Sequence, residues 1–320
     1  MQIPSAGHES ETREKPASRS TPVNQGRRKH KPMNFLKKVR PKRTRVTQNV
    51  HRMTLLEENR VEQLFLSRIE ERLTPMQVEI PQWTAQKFER LVLDSNPKVA
   101  VFDCDGTLWG GDSGNGFMVW SLEQGLVSRS TIDWIDTRYR AYEAGRVSEL
   151  AICGDMVQIY AGLRDQELRA AAAQYVREFV HPRVFPEMAS LLGTLRHTGV
   201  ELWAVSSTNR WVIAEGVREF GIPEERVLAA EVRVDGGMIT GELVDVPTGE
   251  GKAVTLKRVG MDVPDAVFGN SIHDLPMLKM ARHAFPVNPS PLLIAAAAKN
   301  GWGYFRPQAA EGAQAAVAGE

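Results

Sequence analysis

Two aspartates, Asp103 and Asp105, close a short apolar run in the segment KVAVFDCDGTLWG, Lys98 to Gly110. Val99, Ala100, Val101 and Phe102, bounded by Asn96-Pro97 and Gly106, suit a buried strand of a parallel sheet better than a helix. Alternate side chains of a strand share a face, so the two carboxylates emerge together, roughly 7 Å apart at strand rise. Held that close, they repel each other unless one is protonated or a cation lies between them. The pair therefore asks for a metal, a proton, or both, and the carboxyl ends of parallel strands are where such ligands bind. The competing reading is that Asp-Gly merely turns a corner. Cys104, between them, faces the other way and reads as a small core residue.

Three further stretches carry polar groups of interest. Leu202-Trp203-Ala204-Val205 runs into Ser206-Ser207-Thr208-Asn209, whose hydroxyls and amides open a helix; this is a phosphate seat or an ordinary helix cap. Lys252 lies in a glycine-containing loop, GEGKAVTLKRVG, where a lone lysine reads as solvated. Ala266-Val267-Phe268 runs into GNSIHDLPML, residues 269–278, where Asn270 and Asp274 add oxygen donors of the kind that a hard cation such as Mg2+ takes.

Positioning these groups requires buried strands separated by helices. Helical spacing over Thr54–Leu73, stopped by Pro75, and over Trp83–Leu93 predicts a helical N-terminal extension. Asp112 to about His197 reads as helical, with segments at Thr131–Ala144, Val147–Leu163 and Gln166–Phe179. That is too long for a simple crossover, so much of it must stand apart as a small second domain. Pro186–His197 is a helix before the second strand, and Asp235-Gly236-Gly237 between Val227–Val234 and Met238–Val244 signals a hairpin. A short strand and turn over His283–Pro291, a last helix over Leu292–Lys299 and a loose tail after Pro307 complete the pattern.

With 320 residues, 42% of them hydrophobic, the chain can bury a sizeable core. No apolar run approaches the ~18 residues of a membrane span. A soluble, cytoplasmic protein is expected, and Cys104 and Cys153 form no disulfide framework. The net charge of +1 conceals a division: residues 1–50 carry 13 Lys or Arg against 3 Glu, while the remainder carries 27 basic against 36 acidic side chains. The basic arm has almost no hydrophobic periodicity and is expected to be disordered. Its cluster at residues 26–45, GRRKHKPMNFLKKVRPKRTR, could attract nucleic acid or an anionic membrane, although a solvated tail is the plainer reading.

Taken in order, FDCDGTLW, SST at 206–208, Lys252 and GNSIHDLPML resemble the four motifs of the haloacid dehalogenase superfamily of hydrolases, in its phosphoserine-phosphatase-like branch. The resemblance covers about residues 97–305. It implies an α/β fold: a doubly wound, Rossmann-like parallel-sheet core (97–111 and 198–306) with an inserted helical cap (112–197), beside the basic arm (1–50), the helical extension (51–96) and the tail (307–320). It further implies a Mg2+-dependent phosphomonoester hydrolase acting on a small phosphorylated metabolite. Asp103 would attack phosphorus to form an aspartyl phosphate, and Asp105 would serve as acid and then base. Ser206, with Ser207, Thr208, Asn209 and nearby amides, would hold the phosphoryl group, and Lys252 would offset its charge. Mg2+ would bind Asp103, the Asp105 carbonyl and a fourth-motif side chain, Asn270 or Asp274.

Two positions depart from the phosphoserine pattern. Asn270 stands where the family usually has aspartate. The glutamate that meets the substrate ammonium, nine residues after the nucleophile, corresponds to Asp112, and a gapless comparison from Gly145 puts Met156 where an arginine pairs with the substrate carboxylate. Keeping the acid while losing the arginine disfavours phosphoserine and allows an amino-alcohol phosphate such as phosphoethanolamine or phosphocholine. The alternatives are a catalytically weak binding protein of this fold, tethered to nucleic acid by its arm, and a phosphotransferase using the same aspartyl phosphate.

Overall fold

Residues 80–310 are described by the structure, a computed structural model. In chain order the elements are β1 (Gln82–Trp83), α1 (Ala85–Asp94), β2 (Val99–Phe102), α2 (Ser113–Glu123), α3 (Arg129–Glu143), α4 (Glu149–Gln158), α5 (Asp165–Tyr175), α6 (Pro186–His197), β3 (Glu201–Asn209), α7 (Arg210–Arg218), β4 (Val227–Asp235), β5 (Met238–Asp245), α8 (Glu250–Arg258), β6 (Ala266–Gly269), α9 (Leu275–Met280), β7 (His283–Pro286), α10 (Pro291–Asn300) and β8 (Tyr304–Phe305). The basic arm with its 26–45 cluster, the Thr54–Leu73 periodicity and residues 311–320 lie outside the described residues.

A six-stranded sheet runs β5-β4-β3-β2-β6-β7, parallel throughout except for the β4–β5 hairpin. From β2 the chain builds outward through β3 and β4, then returns to add β6 and β7 on the opposite side. The direction of winding reverses at β2, so a crevice opens at its carboxyl end, where Asp103 emerges. Because both faces of the sheet are covered, the strands are apolar on both. Phe102 stacks on Phe268 at 4.3 Å, and Phe268 on Phe285 at 5.1 Å. On the opposite face Val101, Val205 and Val267 pack with Leu256, Met277, Leu278 and Leu293. This two-sided burial explains the unbroken hydrophobic runs seen in the sequence.

The helix expected at Trp83–Leu93 is α1, capped by the Thr84 side chain and burying Phe88 and Val92. The block between β2 and β3 is helical as expected, but α6 packs on β3 and α1 as part of the core's own layers. The segment before it carries α2–α5, of which α4 also packs against β3, β4 and β5. The expected Val147–Leu163 helix ends at Gln158, because the segment after it turns to bond the hairpin: Gly162 N donates to Ile239 O at 2.8 Å and Ile239 N to Leu163 O at 2.9 Å. The hairpin loop is Gly236-Gly237, both at positive φ (54° and 78°), as a two-residue turn requires. Two details differ from expectation. β3 continues through Ser206–Asn209, with Asn209 paired to Ala230 after a register shift. At the start of the supposed tail, residues 308–310 are helical, with Gln308 N donating to Glu187 Oε1 at 3.0 Å and Ala310 buried. Among the described residues no helix is long and apolar enough to cross a membrane.

The aromatic stack makes a direct prediction. Replacing Phe268, which is fully buried, with Ala will lower stability by about 3–5 kcal/mol, measured as a shift in urea unfolding followed by circular dichroism.

Candidate active site

β2, β6 and α8 each contribute one charged group to a buried cluster. Lys252 Nζ donates to Asp103 Oδ1 at 2.7 Å, to Asp274 Oδ1 at 2.6 Å and to Val205 O at 3.3 Å. All three charged side chains are nearly or fully removed from solvent, at 5% exposure for Asp103, 2% for Lys252 and 0% for Asp274. Burial, reinforced by the negative charge of Asp274, pushes the Asp103 carboxyl up to about 7, with Lys252 opposing the rise. Burial alone would lower the lysine, but the two carboxylates outweigh it and hold the ammonium above its ordinary range. The cluster carries two potential negative charges against one positive charge. Lys252, which by itself reads as solvated and which the resemblance places at the site, is buried with its ammonium bonded to both carboxylates.

The turn after β2 shapes the rest. Asp103 N donates to Phe268 O, and the Cys104 carbonyl accepts from Thr107, Leu108 and Trp109 N at 3.1, 2.8 and 3.4 Å. Thr107 Oγ1 donates to Asp103 Oδ2 at 2.9 Å. The turn passes through Gly106 at φ +77°, where an added Cβ would lie 1.9 Å from Asn270 Nδ2; the position takes no side chain, and the Asn270 amide closes directly onto the turn. Asp105 is held from three directions: Trp109 Nε1 and Ser113 N donate to Oδ1 at 2.8 and 2.7 Å, and Thr208 Oγ1 donates to Oδ2 at 2.7 Å. Cys104 is fully buried, as its alternation predicts, and burial pushes its thiol well up.

Asp274 is an anchor. With Oδ1 on Lys252, its Oδ2 accepts from Asn270 N and Ser271 N at 2.8 and 2.9 Å in a capping box. Both oxygens are engaged, which leaves Asn270 as the fourth-motif side chain facing the turn. Among the described residues no group of three or more His, Cys, Asp or Glu side chains converges as a metal-holding set. The oxygen donors near the turn are the Asp103 carboxylate, the Asp105 carbonyl and the Asn270 amide.

Beside the turn lies a cavity of about 100 Å³ between the core and the inserted helices. It gathers Asp112, Met156, Ser207, Thr208 and Asn209, five of the sequence candidates, and adds Tyr139, Tyr142 and Glu149. Its lining contains two carboxylates and no Lys or Arg. Asp112 caps α2 by accepting from Asn115 N at 2.9 Å; desolvation of its carboxyl on the cavity side, followed by the charge of Asp105, pushes it above the usual carboxylate range. Glu149 accepts from Thr248 Oγ1 at 2.7 Å and pairs with His273 Nε2 at 2.5 Å. Burial would raise Glu149, but these partners lower it. Thr208 joins the two regions, lining the cavity while its hydroxyl holds Asp105. Ser206 folds back on its own strand, accepting from Thr208 N at 3.1 Å, and Asn209 caps α7 through Val212 N at 3.0 Å. Thr107, Trp109, Tyr139, Tyr142, Glu149 and His273 were missed in the sequence because each is an ordinary residue at its own position, brought to the site only by folding.

The family model for haloacid dehalogenase-like hydrolases matches residues 100–279, more than half of the chain and all four strand-end segments. The chain belongs to that family. It is 26% identical over 214 residues to a histidinol-phosphatase of Neisseria meningitidis (serogroup C, strain 8013), covering 64% of this chain and 96% of that protein. It is also 26% identical over 213 residues to a probable phosphatase of Mycobacterium tuberculosis (strain H37Rv), covering 63% of this chain and 73% of the other. Among solved structures, a protein of unknown function from Bordetella pertussis Tohama I shares the fold, with a TM-score of 0.58 at 23% identity over 65% of this chain and 97% of that one. The doubly wound α/β core expected from the four motifs is therefore present in this hydrolase.

Lys252→Ala removes the ammonium and leaves two buried carboxylates facing each other. It will cost about 3–5 kcal/mol in urea unfolding at neutral pH.

Proposed function

We propose that this hydrolase cleaves small phosphate monoesters through an aspartyl phosphate on Asp103. The observation that carries the reading is the buried Asp103–Lys252–Asp274 cluster at the winding reversal of the sheet, with Asp105 fixed beside it. An Asp103 carboxylate oxygen attacks phosphorus, the bond from phosphorus to the leaving oxygen breaks, and Asp105 delivers a proton to that oxygen. Asp105 then takes a proton from water, which attacks the same phosphorus and releases Asp103 and inorganic phosphate. Lys252 holds Asp103 in place and opposes the build-up of negative charge, while Ser206, Ser207 and nearby amides receive the phosphoryl oxygens. Thr208 keeps the Asp105 carboxylate turned toward the cavity.

The donors at the turn fit Mg2+ in kind: hard oxygens from Asp103, the Asp105 carbonyl and Asn270, with a single carboxylate among them. When bound, the cation supplies positive charge that keeps Asp103 ionised against its burial and neutralises phosphoryl oxygens. Asn270 gives the site one negative charge fewer than a second carboxylate would, so the cation is held more weakly.

The cavity supports an amine-bearing leaving group. Asp112 offers an acid, since Glu149 is already committed to His273 and Thr248, and Tyr139 and Tyr142, aromatic side chains of the kind that attract a cation, line the same cavity. The lining has no cationic side chain for a carboxylate, and Met156 occupies one wall. An amino-alcohol phosphate meets these conditions, and the resemblance to a protein named histidinol-phosphatase supports that class.

Hydrolysis of p-nitrophenyl phosphate will depend on Mg2+ and fall by about three orders of magnitude or more in Asp103→Asn; equal rates in the two proteins would remove the nucleophile assignment. Asn270→Asp will lower the Mg2+ concentration giving half-maximal rate. With phosphoethanolamine or histidinol phosphate as substrate, Asp112→Asn will raise KM by about tenfold or more while leaving p-nitrophenyl phosphate turnover little changed. Equal turnover of phosphoserine and phosphoethanolamine by the wild type would count against an amino-alcohol substrate.

A further inference from the structure

A single carboxylate of the inserted helices holds both core loops that bring Lys252 and Asp274 to Asp103. Glu149 is the first residue of α4. Its Oε1 accepts from Thr248 Oγ1 at 2.7 Å and its Oε2 lies 2.5 Å from His273 Nε2. Thr248 is buried and opens the turn into α8, its carbonyl accepting from Gly251 N at 2.8 Å directly before Lys252. His273 immediately precedes Asp274 in the 3-10 turn that the Ser271–Asp274 capping box closes. Lys252 and Asp274 thus each sit within a few residues of a group fastened to the same side chain.

We propose that Glu149 is a positioning residue: through Thr248 and His273 it sets the separation of the Lys252 ammonium and the Asp274 carboxylate, and with it the electrostatic environment of Asp103. The proposal rests on the nucleophile reading of Asp103. The helix that carries Glu149 is itself braced, since Asp155 accepts from Arg138 Nε of α3 at 2.6 Å and Gln158 Nε2 donates to Gly241 O of β5 at 2.6 Å. A carboxylate at the first position of a helix is also favoured by the helix dipole, which keeps it anionic and in place. Glu149 additionally lines the cavity, so its alternative role is a simple contact with the leaving group. p-Nitrophenyl phosphate separates the two, because its leaving group has no amine to meet.

The test uses the full chain with Glu149→Ala, Glu149→Gln, His273→Ala and the Glu149→Ala/His273→Ala double variant. On p-nitrophenyl phosphate at saturating Mg2+, Glu149→Ala is expected to lower kcat about tenfold and His273→Ala by less, each with KM within about twofold, and the double variant to fall no further than Glu149→Ala, because that change already removes the links to both Thr248 and His273. Glu149→Gln, which can still accept from Thr248, is expected to recover most of the rate. Deuterium exchange of amides at 248–252 and 270–274 is expected to quicken in Glu149→Ala. Unchanged kcat, loss confined to amine substrates, multiplying effects in the double variant, or unchanged exchange in both loops would each overturn the proposal. Should Glu149→Ala not fold, Thr248→Val, which removes one hydrogen bond, will lower kcat about threefold, and no change there overturns the proposal equally. The exchange result does not depend on turnover, whereas the phosphatase reading stands or falls on the wild type against Asp103→Asn, so the two failures are distinguishable.

Discussion

An ammonium buried between two carboxylates is the constraint on which the rest of this structure depends. Removing three charged groups from water costs several kcal/mol per ion, and only close, well-oriented contact offsets it. The 2.6 and 2.7 Å bonds of Lys252 meet that requirement, and they exist only because β2 and β6 are hydrogen-bonded neighbours with α8 behind them. Asp274 is then completed by the backbone amides of Asn270 and Ser271, so its second oxygen is satisfied without another cation. One lysine against two acids leaves Asp103 short of positive charge, and burial pushes its carboxyl up to about 7.

The inserted helices complete the site from the other side. They are bonded to the β4–β5 hairpin through Gly162, Leu163 and Asp165, and Trp211 Nε1 of α7 donates to Asp165 Oδ1 at 2.7 Å. These attachments hold α4 and α5 against the core while leaving a cavity above Ser207–Asn209. The cavity is lined by two acids and two tyrosines, with no Lys or Arg among its lining residues.

How legible the protein is in its sequence differs from group to group, for physical reasons. The strand carrying Asp103 and Asp105, the hairpin at Gly236-Gly237 and the buried role of Cys104 follow from local rules of alternation and turn chemistry, and they stand where those rules put them. Lys252 does not, because a lysine in a glycine-containing loop has no local sign of burial; only the assembly of two distant carboxylates around it makes its position stable. The same holds for Asp274, an oxygen donor by type whose two oxygens are both engaged by neighbours that the sequence cannot place. α6 stands where its pattern places it, at Pro186–His197, but that pattern shows a buried face and not which partner covers it.

By itself the sequence determined the order of strands and helices, the carboxylates at the strand ends and the four motifs that mark a haloacid dehalogenase-like hydrolase, because periodicity and short-range spacing are local properties of the chain. Tertiary structure decided which groups share charge and which face the cavity. It turned Asp274 into an anchor and gathered Tyr139, Tyr142 and Glu149 around a pocket. It also tied Glu149 to Thr248 and His273, 99 residues away in the first case. Electrostatics and desolvation act through space, and sequence separation carries no information about them until the fold has closed the distance.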